Sequence, residues 1–324
     1  MKISEILNSK KLTVSFEVFP PKKQDSFESV KNTALTLSKN NPDFMSITYG
    51  AGGSTQANTA EIAQIIQNSG TTALSHLTCV RSDMEQIKAT MKDLKARGIS
   101  NVLALRGDLP KDESFQGQSL FPSGLFHASD LIPLLKNEGF CTGGACYPEG
   151  HPESLNREVD IDNLKYKVDA GVDFLTTQMI FDNDMLYSFL YRLQTAGIHV
   201  PVIAGIMPIT SASQVSKMVD LSNAYIPRKL LGICDRFRHD NLAMKQAGIA
   251  YATDQIIDLI TNGIRGIHIY TMNKPEIAEA IIKNVDSIIK AVNSDCYKKA
   301  VLKKNGQPFL CTFGKFYSCV VTSL

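Results

Sequence analysis

The chain has 324 residues, 44% hydrophobic and 20% charged, enough apolar material for a large core and a length that suits one big barrel or two ordinary domains. Disorder, collagen and coiled coil are excluded by that balance. Its 34 Lys and Arg stand against 32 Asp and Glu, a net charge of +2, so it lacks the dense basic face that a nucleic-acid binder turns towards phosphates, and small-molecule chemistry is expected instead.

Residues 1–11 are interrupted by polar side chains and carry no signal-like apolar stretch. The longest apolar run, 202–209, is far too short to span a bilayer, so the expectation is a cytoplasmic protein with no membrane partner. Eight β-leaning runs follow at 13–19, 44–50, 72–79, 101–107, 141–149, 174–181, 200–209 and 266–273. Helix-period segments separate them. In the stretch 84–98, Met84, Ile87, Met91 and Leu94 recur at intervals of three and four, and Gly98 stands where a C-cap belongs.

Eight strand-then-helix units over about 250 residues predict a parallel (β/α)8 barrel, because crossovers of this length force neighbouring strands to run parallel. An open doubly wound sheet would show a G-x-G-x-x-G turn after its first strand; here that strand runs into Glu17-Val18-Phe19-Pro20-Pro21. The expected organisation is a barrel over 1–293, with residues 228–263 a helical insertion before strand eight, and a C-terminal extension over 294–324. The long connection 108–129 reads as a lid or binding loop, or in its middle, 111–123, as a solvated insertion. The extension carries Lys298, Lys299, Lys303 and Lys304 and then a β-leaning stretch, 308–321, suited to adding a strand, covering the barrel or self-association.

Seven cysteines, Cys79, Cys141, Cys146, Cys234, Cys296, Cys311 and Cys319, form no C-x-x-C pair, which favours buried thiols over a disulfide scaffold or zinc module. Cys141 and Cys146 share a strand at an odd spacing and so face opposite sides. The histidines show no metal-ligand spacing, and no metal is expected. There is no Trp.

The reactive face of a parallel barrel is the carboxyl end of its strands. Polar residues gather there: Glu17, then Thr48 and Tyr49, His76, Arg106 and Asp108, Tyr147, Gln178, and Tyr270 with Asn273. Alternation puts Ser15, Glu17 and Phe19 on one face; burial raises a carboxyl's pKa and suits it to proton donation near neutrality, whereas an Arg partner would make it structural. His76 has the same two readings, a working imidazole or a satisfied core histidine. In Arg106-Gly107-Asp108-Leu109-Pro110, Gly107 permits a sharp exit, Arg106 offers a fork for an anion and Asp108 a fixed negative charge; an Arg–Asp turn pair is the plainer reading. Tyr147-Pro148-Glu149-Gly150-His151-Pro152 is a second polar loop, or ordinary turn chemistry around two prolines.

Together these motifs resemble the methylenetetrahydrofolate reductase family from about residue 12 to residue 292. The resemblance rests on Ser15-Phe16-Glu17-Val18-Phe19-Pro20-Pro21, Ser46-Ile47-Thr48-Tyr49-Gly50-Ala51, His76-Leu77-Thr78-Cys79, Ala104-Leu105-Arg106-Gly107-Asp108-Leu109-Pro110, Tyr147-Pro148-Glu149, Asn163-Leu164-Lys165-Tyr166-Lys167-Val168-Asp169-Ala170-Gly171 and Thr177-Gln178. It implies a barrel that binds FAD, takes electrons from NADH or NADPH, with NADH favoured, and reduces methylenetetrahydrofolate to methyltetrahydrofolate by ping-pong hydride transfer. Glu17 would be the general acid, and Asp108 would favour a cationic iminium and tune the flavin.

Flavin contacts carry over onto Tyr49, Ala51, His76, Arg106, Gly107, Asp108, Ala128, Tyr147, His151, Asp160, Asn163 and Lys167, with Arg106 and Lys167 at the pyrophosphate. Thr48 matches a nicotinamide-nucleotide contact, while Gln178, Gln214, Lys274 and Asp108 match folate contacts. Tyr166 and Lys274 replace Arg, and Ser154 replaces a small apolar residue. The short extension implies no large regulatory domain. A homo-oligomer is expected. Two alternatives remain at this stage: a flavin barrel reduced by a redox partner protein, and a non-catalytic folate- or protein-binding barrel.

Overall fold

The structure, a computed structural model, describes residues 1–21, 26–49, 53–109, 120–222 and 224–294. Along the chain run α1 (Ile3–Ser9), β1 (Thr13–Val18), α2 (Phe27–Ser38), β2 (Phe44–Ile47), α3 (Gly53–Asn68), β3 (Thr72–Thr78), α4 (Met84–Ala96), β4 (Asn101–Leu105), α5 (Ala128–Asn137) and β5 (Cys141–Cys146). They are followed by α6 (Arg157–Asp169), β6 (Phe174–Thr177), α7 (Asn183–Thr195), β7 (Val202–Ile206), α8 (Ser213–Ser222), α9 (Arg228–Phe237), α10 (Asn241–Thr261), β8 (Gly266–Tyr270) and α11 (Pro275–Asn293).

The strands pair in sequence order, and β8 closes on β1, with every neighbour parallel: Ser15 lies opposite His268 and Glu17 opposite Tyr270. This is the (β/α)8 barrel expected from the alternation. Each strand stops short of its apolar run, because the last residues leave the ladder to form the mouth; beyond Thr177, Ile180 makes only an isolated bridge to Ile206. The helices show why the local sequence folds as it does. In α4 the Asp83 carboxylate accepts from the Gln86 amide at 2.7 Å, Ile87, Met91 and Leu94 are buried, and Gly98 at φ +75° lets Ile99 N–H reach the Leu94 carbonyl at 2.9 Å.

Most of the apolar core lies between barrel and helices, and a smaller layer fills the barrel's amino end with Phe44, Leu74, Leu103, Cys141, Phe174 and Ile203. Helix α1, which periodicity did not reveal, plugs this layer with Ile3 and Leu7. Asn101 anchors the plug: its side-chain oxygen accepts from Ile3 N–H at 2.8 Å and its amide donates to the Met1 and Ala73 carbonyls. Arg265 donates to the Leu7 and Lys10 carbonyls behind it.

The expected helical insertion is present as α9 and α10. Gly248 of α10 sits so close to the Ile209 carbonyl that a Cβ would lie 1.8 Å from its oxygen, so only glycine permits the contact. Cys79, Cys141, Cys146 and Cys234 are buried free thiols, with Cys141 in the interior layer and Cys146 in the layer beneath the helices. Burial pushes the Cys146 thiol up to about 12. Ala51, residues 110–119 of the proposed lid and all of the extension after Ser294 lie outside the described residues. Among those described, no helix is long and apolar enough to cross a membrane.

Candidate active site

Strand alternation turns Ser15 and Glu17 of β1 inward, and Glu17 is only 6% exposed. Its Oε2 lies 3.8 Å from His76 Nε2 and 4.0 Å from His268 Nε2. Among the described residues these imidazoles, not an Arg, are the basic groups within 4.0 Å of it. His76 is not a satisfied core histidine either. Its Nε2 is buried without a hydrogen-bond partner, and desolvation, outweighing the pull of Glu17, lowers its pKa to about 4, so the ring is neutral at pH 7.

His268 is the member of this group that sequence reading passed over. Its Nδ1 lies 2.8 Å from Ser15 Oγ and its Nε2 3.4 Å from Ser46 Oγ, so both ring nitrogens are engaged. Tyr270 meets the His268 ring edge-on at 5.1 Å, crosses the space left by Gly205, and donates its hydroxyl to the Thr177 carbonyl at 2.7 Å. Burial raises this phenol well above its ordinary value. The period-two series Gly266, His268, Tyr270 in the eighth run held the signal for His268.

The end of β1 is held by the turn after β8. Thr271 Oγ1 donates to the Glu17 carbonyl at 2.7 Å, while the Asn273 side chain accepts from Phe19 N–H at 2.9 Å and donates to the Phe19 carbonyl at 3.0 Å. Met272 and Asn273 both adopt left-handed backbone, at φ 52° and 55°. That conformation is uncommon without glycine, and it keeps the Asn273 amide against β1.

A second group lines a cavity of about 340 Å³ between the ends of β4 and β5, the start of α5 and one face of α6. It includes Arg106, Ala128, Tyr147, His151, Asp160, Asn163 and Lys167. Asp160, Asn163 and Lys167 recur at helical spacing, which aims one face of α6 into the cavity. The Lys167 stem lies across Gly144, where a Cβ would sit 2.9 Å from its Cδ. Its ammonium donates to the Ala145 carbonyl at 2.6 Å, and burial lowers its pKa. Tyr147 and His151 stack edge-to-face at 4.5 Å; desolvation drives Tyr147 up to about 12 and lowers His151. Ser154, one of the departures from the family pattern, donates to Asp160 at 2.8 Å, and Tyr166, another, stands exposed at the rim.

Arg106 does not pair with Asp108. It forks onto Glu153, Nη1 to Oε2 at 2.5 Å and Nη2 to Oε1 at 2.8 Å, a contact no motif signalled. Asp108 stands exposed at the mouth, where its charge helps to raise Tyr147. Gly107 between them is at φ +91°, and a Cβ there would fall 2.4 Å from Val80 Cγ1.

The remaining predicted residues stand singly around the rim. Thr48, half-buried, accepts at its carbonyl from Thr59 Oγ1 at 3.2 Å, and the Tyr49 phenol is hydrogen-bonded to Ser82 and Thr90 and raised by burial. Gln178 accepts from Met179 N–H at 2.9 Å. Gln214 accepts from the Thr210 amide at 2.9 Å and hydroxyl at 3.2 Å, and Lys274 is the exposed N-cap of α11.

A closed parallel barrel with a buried carboxylate at its carboxyl mouth and a cavity lined by Arg106 and Lys167 alongside has the architecture of a (β/α)8 enzyme. The family profile described as methylenetetrahydrofolate reductase matches residues 2–286, and the chain belongs to that family. It is 34% identical over 273 residues, 84% of this chain and 89% of the other, to the 5,10-methylenetetrahydrofolate reductase of Pectobacterium carotovorum. It is 33% identical over 305 residues to the methylenetetrahydrofolate reductase (NADH) 1 of Arabidopsis thaliana, covering 89% of this chain and 50% of that one. Among solved structures, an uncharacterized protein from Clostridium thermocellum that binds two copies of 5-methyl-5,6,7,8-tetrahydrofolic acid superposes with a TM-score of 0.61, covering 89% of this chain and 99% of that one. Its 17% identity makes this a likeness of fold.

Proposed function

We propose that the chain reduces methylenetetrahydrofolate to methyltetrahydrofolate with NADH as electron source and FAD as the carrier between them. The observation that carries this reading is Glu17, a buried acidic side chain at the barrel mouth with two imidazoles and, among the described residues, no arginine against it. The family supports the reaction, and the plant relative's name supports NADH.

The cavity's donor set fits FAD. Arg106 offers two parallel N–H donors to a diphosphate, with the start of α5 at Ala128 lining the same space; Tyr147 and His151 supply ring faces, and Asp160 and Asn163 polar partners for hydroxyls. The unpartnered His76 Nε2 is a buried polar atom that a ligand at the mouth would satisfy. The bound flavin would supply a hydride for the folate's one-carbon unit.

The residues around it do the rest. Opening the folate's bridging ring needs a proton on the departing nitrogen, and Glu17 delivers it from a pocket that excludes water. Asp108 favours the positive charge that develops on the iminium carbon. Gln178, Gln214 and Lys274 bind folate, Thr48 meets the nicotinamide nucleotide, and Tyr49 and Gly107 complete the flavin site. The test is a visible absorbance spectrum followed by anaerobic NADH and then methylenetetrahydrofolate. Bleaching of a flavin band by NADH and its return with folate is the expected result; a protein left colourless after incubation with FAD overturns the reading.

A further inference from the structure

Glu153 and Asp160 are the acidic residues described in the cavity lining, and of the two it is Glu153 whose side chain fills the Arg106 fork. Both of its carboxylate oxygens occupy the Arg106 fork, at 2.5 and 2.8 Å. The pair gains little as a structural tie: the Glu153 side chain is 54% exposed, and ion pairs that open to water contribute little to stability. The turn nevertheless presents Glu153 firmly. Its backbone N–H donates to His151 Nδ1 at 3.1 Å, and Ser154 N–H donates to the His151 carbonyl at 2.9 Å. The geometry of the fork is that of bidentate recognition, which suits a carboxylate or two phosphate oxygens alike.

We propose that Glu153 is an internal competitor, its carboxylate holding the Arg106 guanidinium until an organic diphosphate displaces it, so that Glu153 sets how tightly the cavity takes such a ligand. This rests on the reading of the cavity as a dinucleotide site. It assigns Glu153 a specificity role: only a ligand bringing two well-placed anionic oxygens replaces both bonds of the fork, and weaker anions do not. Arg106's charge is kept paired meanwhile, beside the desolvated Tyr147 and His151.

The experiment compares Glu153→Gln and Glu153→Asp with the unaltered chain for FAD, by quenching of flavin fluorescence, and for ADP, by titration calorimetry, across a salt series. Glu153→Gln is expected to tighten both by about three- to tenfold and to steepen the salt dependence, because one local negative charge is gone. Glu153→Asp, which keeps the charge but shortens the reach, should fall between. The gain must depend on Arg106 and shrink in an Arg106→Met background. An equal gain in that background reduces Glu153 to general repulsion, and unchanged or weaker binding in Glu153→Gln makes it a mere orienting group; either result overturns the proposal. If the unaltered chain takes ADP but not FAD, the flavin reading fails while the ADP arm still decides the role of Glu153. If it takes neither, both fall.

Discussion

The two ends of the barrel interior are made by the same alternation of inward side chains, yet they are opposites in chemistry. The amino end holds Phe44, Leu74, Leu103, Cys141, Phe174 and Ile203, sealed by Ile3 and Leu7 from α1. Towards the carboxyl end β1, β2, β3 and β8 present Ser15, Glu17, Ser46, His76, His268 and Tyr270. The first layer gains stability from dispersion and burial, whereas the second places polar atoms where water cannot satisfy them, one of them with no partner at all. The polar end is tolerable because the apolar end and the surrounding helices hold the barrel closed.

The sharpest way to separate the two ends is at Glu17. Glu17→Gln should slow folate reduction by about 10²–10⁴-fold while flavin reduction by NADH changes only slightly, measured as separate half-reactions by stopped flow. Equal damage to both would remove its assignment as the acid. The reciprocal change is Phe174→Ala, at a fully buried ring 6.4 Å from Phe44; it should cost about 3–5 kcal/mol in denaturant unfolding and leave turnover per folded molecule nearly intact.

His76 separates the two ends by pH. Folded, its pKa is about 4 against 6.5 for an unhindered imidazole, so the unfolded chain binds more protons between these values. Stability should therefore fall as pH drops from about 6.5 towards 4, by up to about 3 kcal/mol, and His76→Asn should remove that part of the slope. An unchanged slope would show that the ring protonates in place. The smallest effect is expected at Asn273. Losing its two bonds to Phe19 in Asn273→Ala should cost about 1–2 kcal/mol and lower the folate step more than flavin reduction, because the end of β1 carries Glu17. A variant equally impaired in both steps would make the turn after β8 a structural device only.

How much of this could be read in advance differs from residue to residue. The β-strand runs, the helix ending at Gly98, the buried thiols of β5 and the inward position of Glu17 all follow from local periodicity, which covalent geometry imposes on any chain that buries one face. Helix α1 was not legible, since its seven residues are too few to show a period and its role depends on an open barrel end to fill. The Arg106–Asp108 turn pair that adjacency suggests gives way to Arg106–Glu153, formed 47 residues apart. Sequence alone therefore determined the alternation of elements, the barrel it closes into and the family whose motifs mark its mouth. The tertiary structure decided which charges meet: that Glu17 faces two imidazoles, that His76 loses its proton, and that Arg106 is already engaged. Periodicity is a property of the chain, while pairing across the barrel depends on strand register and loop path, which only closure specifies.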